Sequence, residues 1–168
     1  MAKNQALRRW SELRGLPVTI PSEGRKAGTV EDFYFQTGTN AIYALRVNVG
    51  ILGYRVLMAS AIKTIERDAV TIANEEMLIK QQPGGQLPEV SGQSLLSYKV
   101  MSENGTFVGT VSDLLLGVVP PVALRVAAFE LGSGPEGRFS RPKIVDADEV
   151  VRYQDNVIVI LDQVARGL

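Results

Sequence analysis

The sequence predicts an all-β protein made of two tandem small β-barrels with short helical turns. Short apolar or alternating segments are separated by turn residues every eight to twelve positions, and few stretches have helical spacing. The segment Gly28-Thr29-Val30-Glu31-Asp32 also reappears as Gly109-Thr110-Val111-Ser112-Asp113. An internal repeat of this kind indicates that one structural unit is used twice.

The repeat divides the chain into two modules joined by a linker. Residues 1–79 form the first module with an N-terminal helical segment, residues 80–92 form a linker rich in Gln, Pro and Gly, and residues 93–168 form the second module. Modules of about 70 residues are near the lower size limit for an independent core. We therefore expect the modules to pack on each other or on another chain.

The first module is predicted to begin with a helix over 3–13 that packs Trp10 onto the first barrel. A basic arm that contacts a partner is the alternative for this stretch. Short helical turns are expected within 59–65 and 74–79. The predicted strands are 16–20, 26–35, 41–49, 54–58 and 69–72.

The second module is predicted to repeat this order. Leu124-Arg125-Val126 is set against Leu45-Arg46-Val47, with length differences confined to loops. Asn104-Gly105 indicates a type I′ hairpin turn, and Asp155-Asn156 a further turn. The predicted strands are 98–102, 106–116, 121–129, 138–145 and 157–161.

Composition excludes several kinds of chemistry. The sequence has neither Cys nor His, which removes Ser-His-Asp and Cys-His catalysis and Cys/His zinc sites. Eighteen basic and eighteen acidic residues leave a formal net charge of zero, which argues against direct, non-specific nucleic-acid binding. We expect no cofactor.

The protein is expected to be cytoplasmic, which its lack of Cys fits, and to have no transmembrane segment. The N-terminal residues are polar and charged, and the longest apolar run, 114–124, is too short to span a bilayer and contains two prolines. Peripheral docking on a membrane complex remains open.

Two groups of carboxylates are candidate sites. Asp32 and Asp113 are either paired catalytic acids or, as the favoured interpretation, acceptors of backbone N–H groups at strand irregularities. Asp146, Asp148 and Glu149 either bind Mg²⁺ or Ca²⁺ or, as favoured, lie at a solvated helix N-terminus. The glycine-rich stretches 84–85 and 132–137 lack a phosphate-binding pattern and are expected to be loops.

Apolar residues at predicted tips form a candidate interaction surface: Ile51, Leu52, Val118 and Val119. Exposed apolar residues mark protein interfaces, and the alternative is that these residues close a barrel end or join the modules.

Several segments resemble the PRC-barrel domain. The resemblance lies in the stretch 11–18 with the first Gly-Thr-Val-x-Asp motif, in 95–100 with the second motif, and in 144–150. PRC-barrels are small β-barrels found in the cytoplasmic part of the photosynthetic reaction-centre H subunit and the C-terminal part of the ribosome-maturation factor RimM. From the sequence we expect two departures from these proteins: no transmembrane helix, which the H subunit would have, and no separate N-terminal domain, which RimM would have.

This resemblance implies a non-catalytic interaction or assembly module whose partner is a protein or a larger complex, in a setting such as photosynthetic complex organisation. Homo-oligomerisation stays open. The alternatives are a ribosome-maturation or RNA-associated factor that uses Arg8 and Arg9, and a small hydrolase that uses carboxylates.

Overall fold

A long antiparallel strand pair lies at the centre of each half of the protein. The computed structural model describes residues 7–80, 90–132 and 143–168. Strands dominate, the sheets are curled, and the three α-helices are short, so the predicted all-β, barrel-type fold class is confirmed.

Residues 7–80 of the first half contain eight strands, one α-helix and four short 3₁₀ turns. The turns cover Pro21–Glu23, Gly50–Leu52, Ala59–Ala61 and Glu75–Met77. The strands and helix are β1 (Leu7–Arg9), α1 (Trp10–Leu13), β2 (Pro17–Ile20), β3 (Arg25–Gln36), β4 (Ala41–Asn48), β5 (Tyr54–Met58), β6 (Ile62–Ile65), β7 (Val70–Ile72) and β8 (Leu78–Ile79).

The second half contains seven strands and two α-helices among the described residues. Its 3₁₀ turns are Pro121–Ala123 and Ala147–Glu149. The elements are β9 (Val90–Ser91), α2 (Gly92–Leu95), β10 (Lys99–Ser102), β11 (Phe107–Gly117), β12 (Arg125–Leu131), β13 (Lys143–Asp146), β14 (Val150–Gln154), β15 (Val157–Ile160) and α3 (Asp162–Arg166).

Strands pair in the same order in the two halves. The antiparallel order β4-β3-β2 continues through a parallel β2–β7 pair to β6, and β12-β11-β10 continues through a parallel β10–β15 pair to β14. Each outer strand, β5 or β13, pairs with the far edge of β4 or β12.

A bulge in each long strand explains its burial pattern. In β3 the buried positions change from Gly28 and Val30 to Phe33 and Phe35, so the alternation shifts by one residue. One extra residue in a strand reverses which side chains face the core. The pairing of β11 with β12 shifts at the corresponding place, between Val111 and Asp113.

The N-terminal segment of each half pairs with the long strand of the other half. Strand β1 lies antiparallel to β11, with Arg9 opposite Leu115, and β9 lies antiparallel to β3, with Phe35 opposite Val90. The helix that follows each short strand packs at the same junction. Trp10 of α1 makes an edge-to-face contact with Phe33, at 4.9 Å between ring centroids.

Close packing at this junction requires glycine in α2. A Cβ atom on Gly92 would lie 2.1 Å from the nearest atom of the Phe33 ring. Trp10 also donates a hydrogen bond from Nε1 to Oε1 of Gln93, at 2.7 Å. The predicted packing of Trp10 on the first barrel is confirmed, and the structure adds this contact with the second half.

A second seam joins the halves where β4 meets β12. The Ile42 amide donates to the Leu124 carbonyl at 3.0 Å, and the Val126 amide donates to the Asn40 carbonyl at 2.9 Å. Tyr153 lies nearby and packs edge-on against both Phe35 and Phe129. The buried side chains of both halves consequently form one continuous hydrophobic core.

The structure corrects the predicted N-terminal helix. Residues 7–9 form β1, and helix begins only at Trp10. Pairing with β11 satisfies the β1 backbone, and this tertiary contact overrides the weak helical spacing of the sequence. Residues 3–6 lie outside the described part of the chain.

The predicted type I′ turn at Asn104-Gly105 is also wrong. Only Gly105 has a positive φ, and its amide donates to the Ser102 carbonyl at 2.9 Å, so the hairpin has a three-residue loop with glycine in the left-handed region. The two-residue turn with positive φ at both positions is instead Asp155-Asn156, between β14 and β15.

The proposed alignment of Arg46 with Arg125 is replaced by another. Arg46 lies opposite Asp32, whereas Glu130 lies opposite Asp113, so Glu130 occupies the place of Arg46. The connection between β11 and β12 is longer than the connection between β3 and β4. The second half therefore has extra residues already before β12, the strand that corresponds to β4.

Parts of two predicted segments have defined structure. Val90, Ser91 and Gly92, assigned from the sequence to the linker, lie in β9 and at the start of α2. Strand β13 begins at Lys143. The remaining residues 81–89 and 138–142 of these segments lie outside the described part of the chain, and the division into two modules stays a prediction.

Candidate functional site

The connection between β4 and β5 projects two apolar side chains into solvent. Ile51 is fully exposed and Leu52 is 68% exposed. Both neighbours of this pair in the sequence are glycines, so no adjacent charged side chain shields it from solvent. We call the segment 50–53 the apolar tip. Large apolar side chains that adjoin one another at full exposure are typical of contact residues.

The backbone of the apolar tip is held by hydrogen bonds on both sides. Oδ1 of Asn48 accepts from the Gly50 amide at 2.8 Å, and the Gly53 amide donates to the Gly50 carbonyl at 2.9 Å. Nη1 of Arg55 donates to the Leu52 carbonyl at 3.1 Å. The tip is therefore ordered before any partner binds, which lowers the entropic cost of binding.

Polar and aromatic side chains surround the base of the tip. The Arg46 guanidinium lies 3.7 Å from the ring centroid of Tyr54, in a cation–π arrangement. The Tyr54 hydroxyl donates to Oε1 of Glu31 at 3.4 Å. The base thus offers both charge signs and an aromatic edge next to the two apolar side chains.

A cleft of about 920 Å³ opens beside the apolar tip, between the two halves. Its walls come from the α1 region, the β3 segment of the repeated motif, the end of β4, and residues of α2 and β11. Exposed cations, Arg14 and Lys26, and the carboxylate of Glu31 lie on its first-half side. These charged residues were not predicted as site residues, because no local sequence motif groups them.

The two valines of the candidate surface lie elsewhere. Val118 is 3% exposed and belongs to the core, whereas Val119 is 70% exposed. Their loop lies beside Ala41, at the opposite end of β4 from the apolar tip, which is a distance of about 20 Å at the rise of a strand. The four predicted residues therefore do not form one surface, and Val118 is not accessible to a partner.

Asp32 accepts backbone N–H groups, as the favoured interpretation predicts. Its Oδ1 accepts from the Phe33 amide at 2.8 Å and from the Gln93 amide, in α2, at 3.0 Å. The first bond stabilises the bulge in β3, and the second joins this bulge to the helix of the other half.

Asp113 makes the corresponding contacts with the first half. Its Oδ1 accepts from the Leu114 amide at 2.8 Å and from the Ser11 amide at 3.2 Å, and its Oδ2 accepts from the Ser11 hydroxyl at 2.6 Å. The Arg9 guanidinium lies 3.9 Å from the same Oδ2 and pairs closely with Glu130. The structural interpretation of both aspartates is confirmed, and the contacts across the halves are new.

The acidic cluster lies in a solvated 3₁₀ turn. Asp148 and Glu149 belong to this turn, Asp146 immediately precedes it, and all three are exposed. No group of three potential metal-ligating side chains occurs among residues 7–80, 90–132 and 143–168. Of the glycine-rich stretches, 84–85 and 133–137 lie outside the described residues.

Residues 7–78 match the model of the PRC-barrel domain family. This match covers the first half, from β1 to the start of β8, and includes the apolar tip. PRC-barrel domains are β-barrels that commonly serve as interaction modules and in general are not enzymes. A search of curated proteins finds no match. Across the part of the chain that the structure describes, no helix has the length and hydropathy needed to cross a bilayer.

Proposed function

We propose that the protein is a non-catalytic interaction module, built from two PRC-barrel units, that assembles a larger protein complex in the cytoplasm. The common strand order of the two halves, with bulges at Asp32 and Asp113, supports a second unit in residues 93–168. Organisation of a photosynthetic complex is one setting that the resemblance to the reaction-centre subunit favours.

The observation that carries this proposal is the ordered apolar tip. Ile51 and Leu52 are exposed and belong to no core cluster of residues 7–80, 90–132 and 143–168, while the surrounding backbone is fixed by Asn48 and Arg55. A fixed, exposed apolar pair beside the charged side chains Arg46, Glu31 and Lys26 has the composition of an interface centre with a polar rim.

The two alternative functions have less support. Arg8 donates to the Glu66 and Arg67 carbonyls, and Arg9 pairs with Glu130, so neither arginine presents a free guanidinium for RNA. Asp32 and Asp113 accept backbone N–H groups, which argues against their use as paired acids of a hydrolase. Asp146 and Asp148, whose substitution would test that hypothesis, are exposed at a solvated 3₁₀ turn.

Substitution of the apolar tip tests the proposal. Tagged wild-type protein and the Ile51→Ser/Leu52→Ser variant are recovered from the native organism with nuclease and detergent controls. We expect a protein partner that survives nuclease treatment and is reduced about tenfold or more in the variant, because central apolar contacts carry most of the affinity of an interface. Thermal unfolding of the variant is expected to match the wild type.

Two further variants make this result specific. Val151→Ser, at an exposed position of β14, is the matched control and should retain the partner. Val119→Ser/Val122→Ser removes the exposed valines at the other end of β4. Loss of the partner with this variant and not with the tip variant would contradict the assignment to the apolar tip, and partner recovery that depends on intact RNA would contradict the proposed function.

A further inference from the structure

The outer edge of β5 is covered by a short strand of the same chain. Strand β8 lies antiparallel to β5, with Leu78 opposite Leu57 and Ile79 opposite Val56. Val56 is consequently 3% exposed. An edge covered in this way has partners for its backbone groups.

Strand β13 occupies the place of β5 in the second half, but its outer edge pairs with no other strand of the described residues. Val145 lies opposite Phe129 as Leu57 lies opposite Leu45. Among residues 7–80, 90–132 and 143–168, β13 pairs only with β12, and Ile144 is 46% exposed. In chain order, β8 follows β7 in the first half, whereas helix α3 follows β15 in the second half.

A groove of about 280 Å³ lies beside Lys143, the first residue of β13. Phe107, 56% exposed, and Val108 supply apolar surface. The charged residues that line the groove are Lys143, Arg166 and Asp162. An exposed edge strand beside an apolar groove is suited to the addition of an extended peptide, in which main-chain hydrogen bonds give affinity and side-chain pockets give specificity.

We propose that β13 binds an extended segment of a partner protein by strand addition, and that this segment has a basic residue, two adjacent apolar residues and an acidic residue in that order. The pairing of β8 with β5 supplies the direction and the two apolar positions. Continuing that register places the acidic residue opposite Lys143 and the basic residue opposite Asp146, both of which are exposed.

The charges of β13 also show that the partner segment cannot have the same sequence as β8 and the residue that follows it. Ile79 is followed by Lys80, and a lysine in that position would lie opposite Lys143. Like charges directly opposite each other on paired strands are destabilising. The partner segment therefore resembles β8 in its apolar pair and differs from it in the charge that follows.

A capped ten-residue peptide with Lys-Leu-Ile-Glu at its centre tests this inference. We expect it to slow hydrogen exchange of those amides in residues 143–146 that point away from β12, and to bind about three to ten times more tightly than the charge-reversed Glu-Leu-Ile-Lys peptide. The double variant Lys143→Glu/Asp146→Lys should reverse this preference. Lys63→Glu, at an exposed position of β6, should leave it unchanged.

Three results would overturn the inference. One is the absence of exchange protection at millimolar peptide, and another is equal binding of a peptide N-methylated at its Leu and Ile amides, which lacks two main-chain donors. The third is protection, in the free protein, of the β13 amides that point away from β12: a monomer by sedimentation would mean that another segment of this chain covers the edge, and a dimer that a second copy does.

This surface is separate from the apolar tip, and the experiment distinguishes the two. The Ile51→Ser/Leu52→Ser variant should bind the peptide as the wild type does. Loss of the peptide with that variant would contradict strand addition at β13, and failure of the tip proposal would leave the peptide result unaffected.

Discussion

The two aspartates of the repeated motif connect the halves of the protein. Each carboxylate accepts an amide hydrogen bond from its own bulge and another from the first turn of the helix of the opposite half. Gly28, which begins the first motif, allows β3 to lie close to β4, since a Cβ there would come within 2.6 Å of Val47. The motif therefore encodes packing rather than catalysis.

Replacing each aspartate with asparagine should have unequal effects. In Asp32 a single oxygen accepts both amides, so Asp32→Asn retains an acceptor and should cost less than about 1 kcal/mol. Asp113 uses both oxygens and lies near Arg9, so Asp113→Asn should cost about 1–3 kcal/mol. Urea unfolding measures both variants, and equal losses would contradict the assigned contacts.

Alkaline pH should destabilise the protein through Tyr43. Burial raises the pKa of Tyr43 to about 12, and its hydroxyl has no hydrogen-bond partner among the described residues. The folded state thus retains a proton that the unfolded state loses above about pH 10, so stability falls between pH 10 and 12.

The expected contribution of Tyr43 is a loss of about 1 kcal/mol in the free energy of unfolding. This is smaller than the loss that the whole pKa shift would give, because part of the ring is open to solvent. Tyr43→Phe should reduce this loss without lowering stability at pH 7. Urea titrations at pH 9 and pH 11 measure the difference. An unchanged alkaline loss in the variant would exclude Tyr43 as its source.

At the scale of elements, the sequence predicts most strands but not all of their partners. Alternation and turn residues locate the long strands, because these signals arise from neighbouring residues. The pairing of β1 with β11 depends on residues about a hundred positions away, so the local pattern around Arg8 and Arg9 misleads. Bulges add a second difficulty, since they shift the alternation inside β3.

The sequence predicts the part of the candidate site that depends on neighbouring residues, and misses the part that depends on long-range packing. Two apolar residues between glycines, at 50–53, indicate an exposed tip from local sequence alone. Val118 has an equally apolar neighbourhood but is buried, because its loop packs beside the start of β4. The cleft residues Arg14 and Lys26 come together only when both halves are folded.

At the scale of the whole molecule, contacts between the halves are as specific as those within them. Four kinds of contact cross the boundary between the halves. They are the β1–β11 and β9–β3 strand pairs, the hydrogen bonds of the two aspartates, the Trp10–Gln93 hydrogen bond and the β4–β12 seam. Neither half alone contains the partner of its own N-terminal strand.

Unfolding should consequently be a single transition. Calorimetry is expected to give equal calorimetric and van't Hoff enthalpies, and the separate fragments 1–79 and 93–168 should lack the dispersed amide spectrum of a folded protein. Fragment 1–79 would leave Trp10 beside an unpaired β1, since β11 is absent. Two resolved transitions, or two independently folded fragments, would contradict this coupling.

The pairing of β1 with β11 also means that the N-terminal strand is synthesised well before its partner. Arg9 leaves the ribosome about a hundred residues before Leu115, its partner in β11. At about 5–20 residues per second, the N-terminal strand and Trp10 wait roughly 5–20 s for their binding site. The nascent first half is therefore incomplete until most of the second half has been translated, and this interval is when the chain exposes its apolar surface to chaperones.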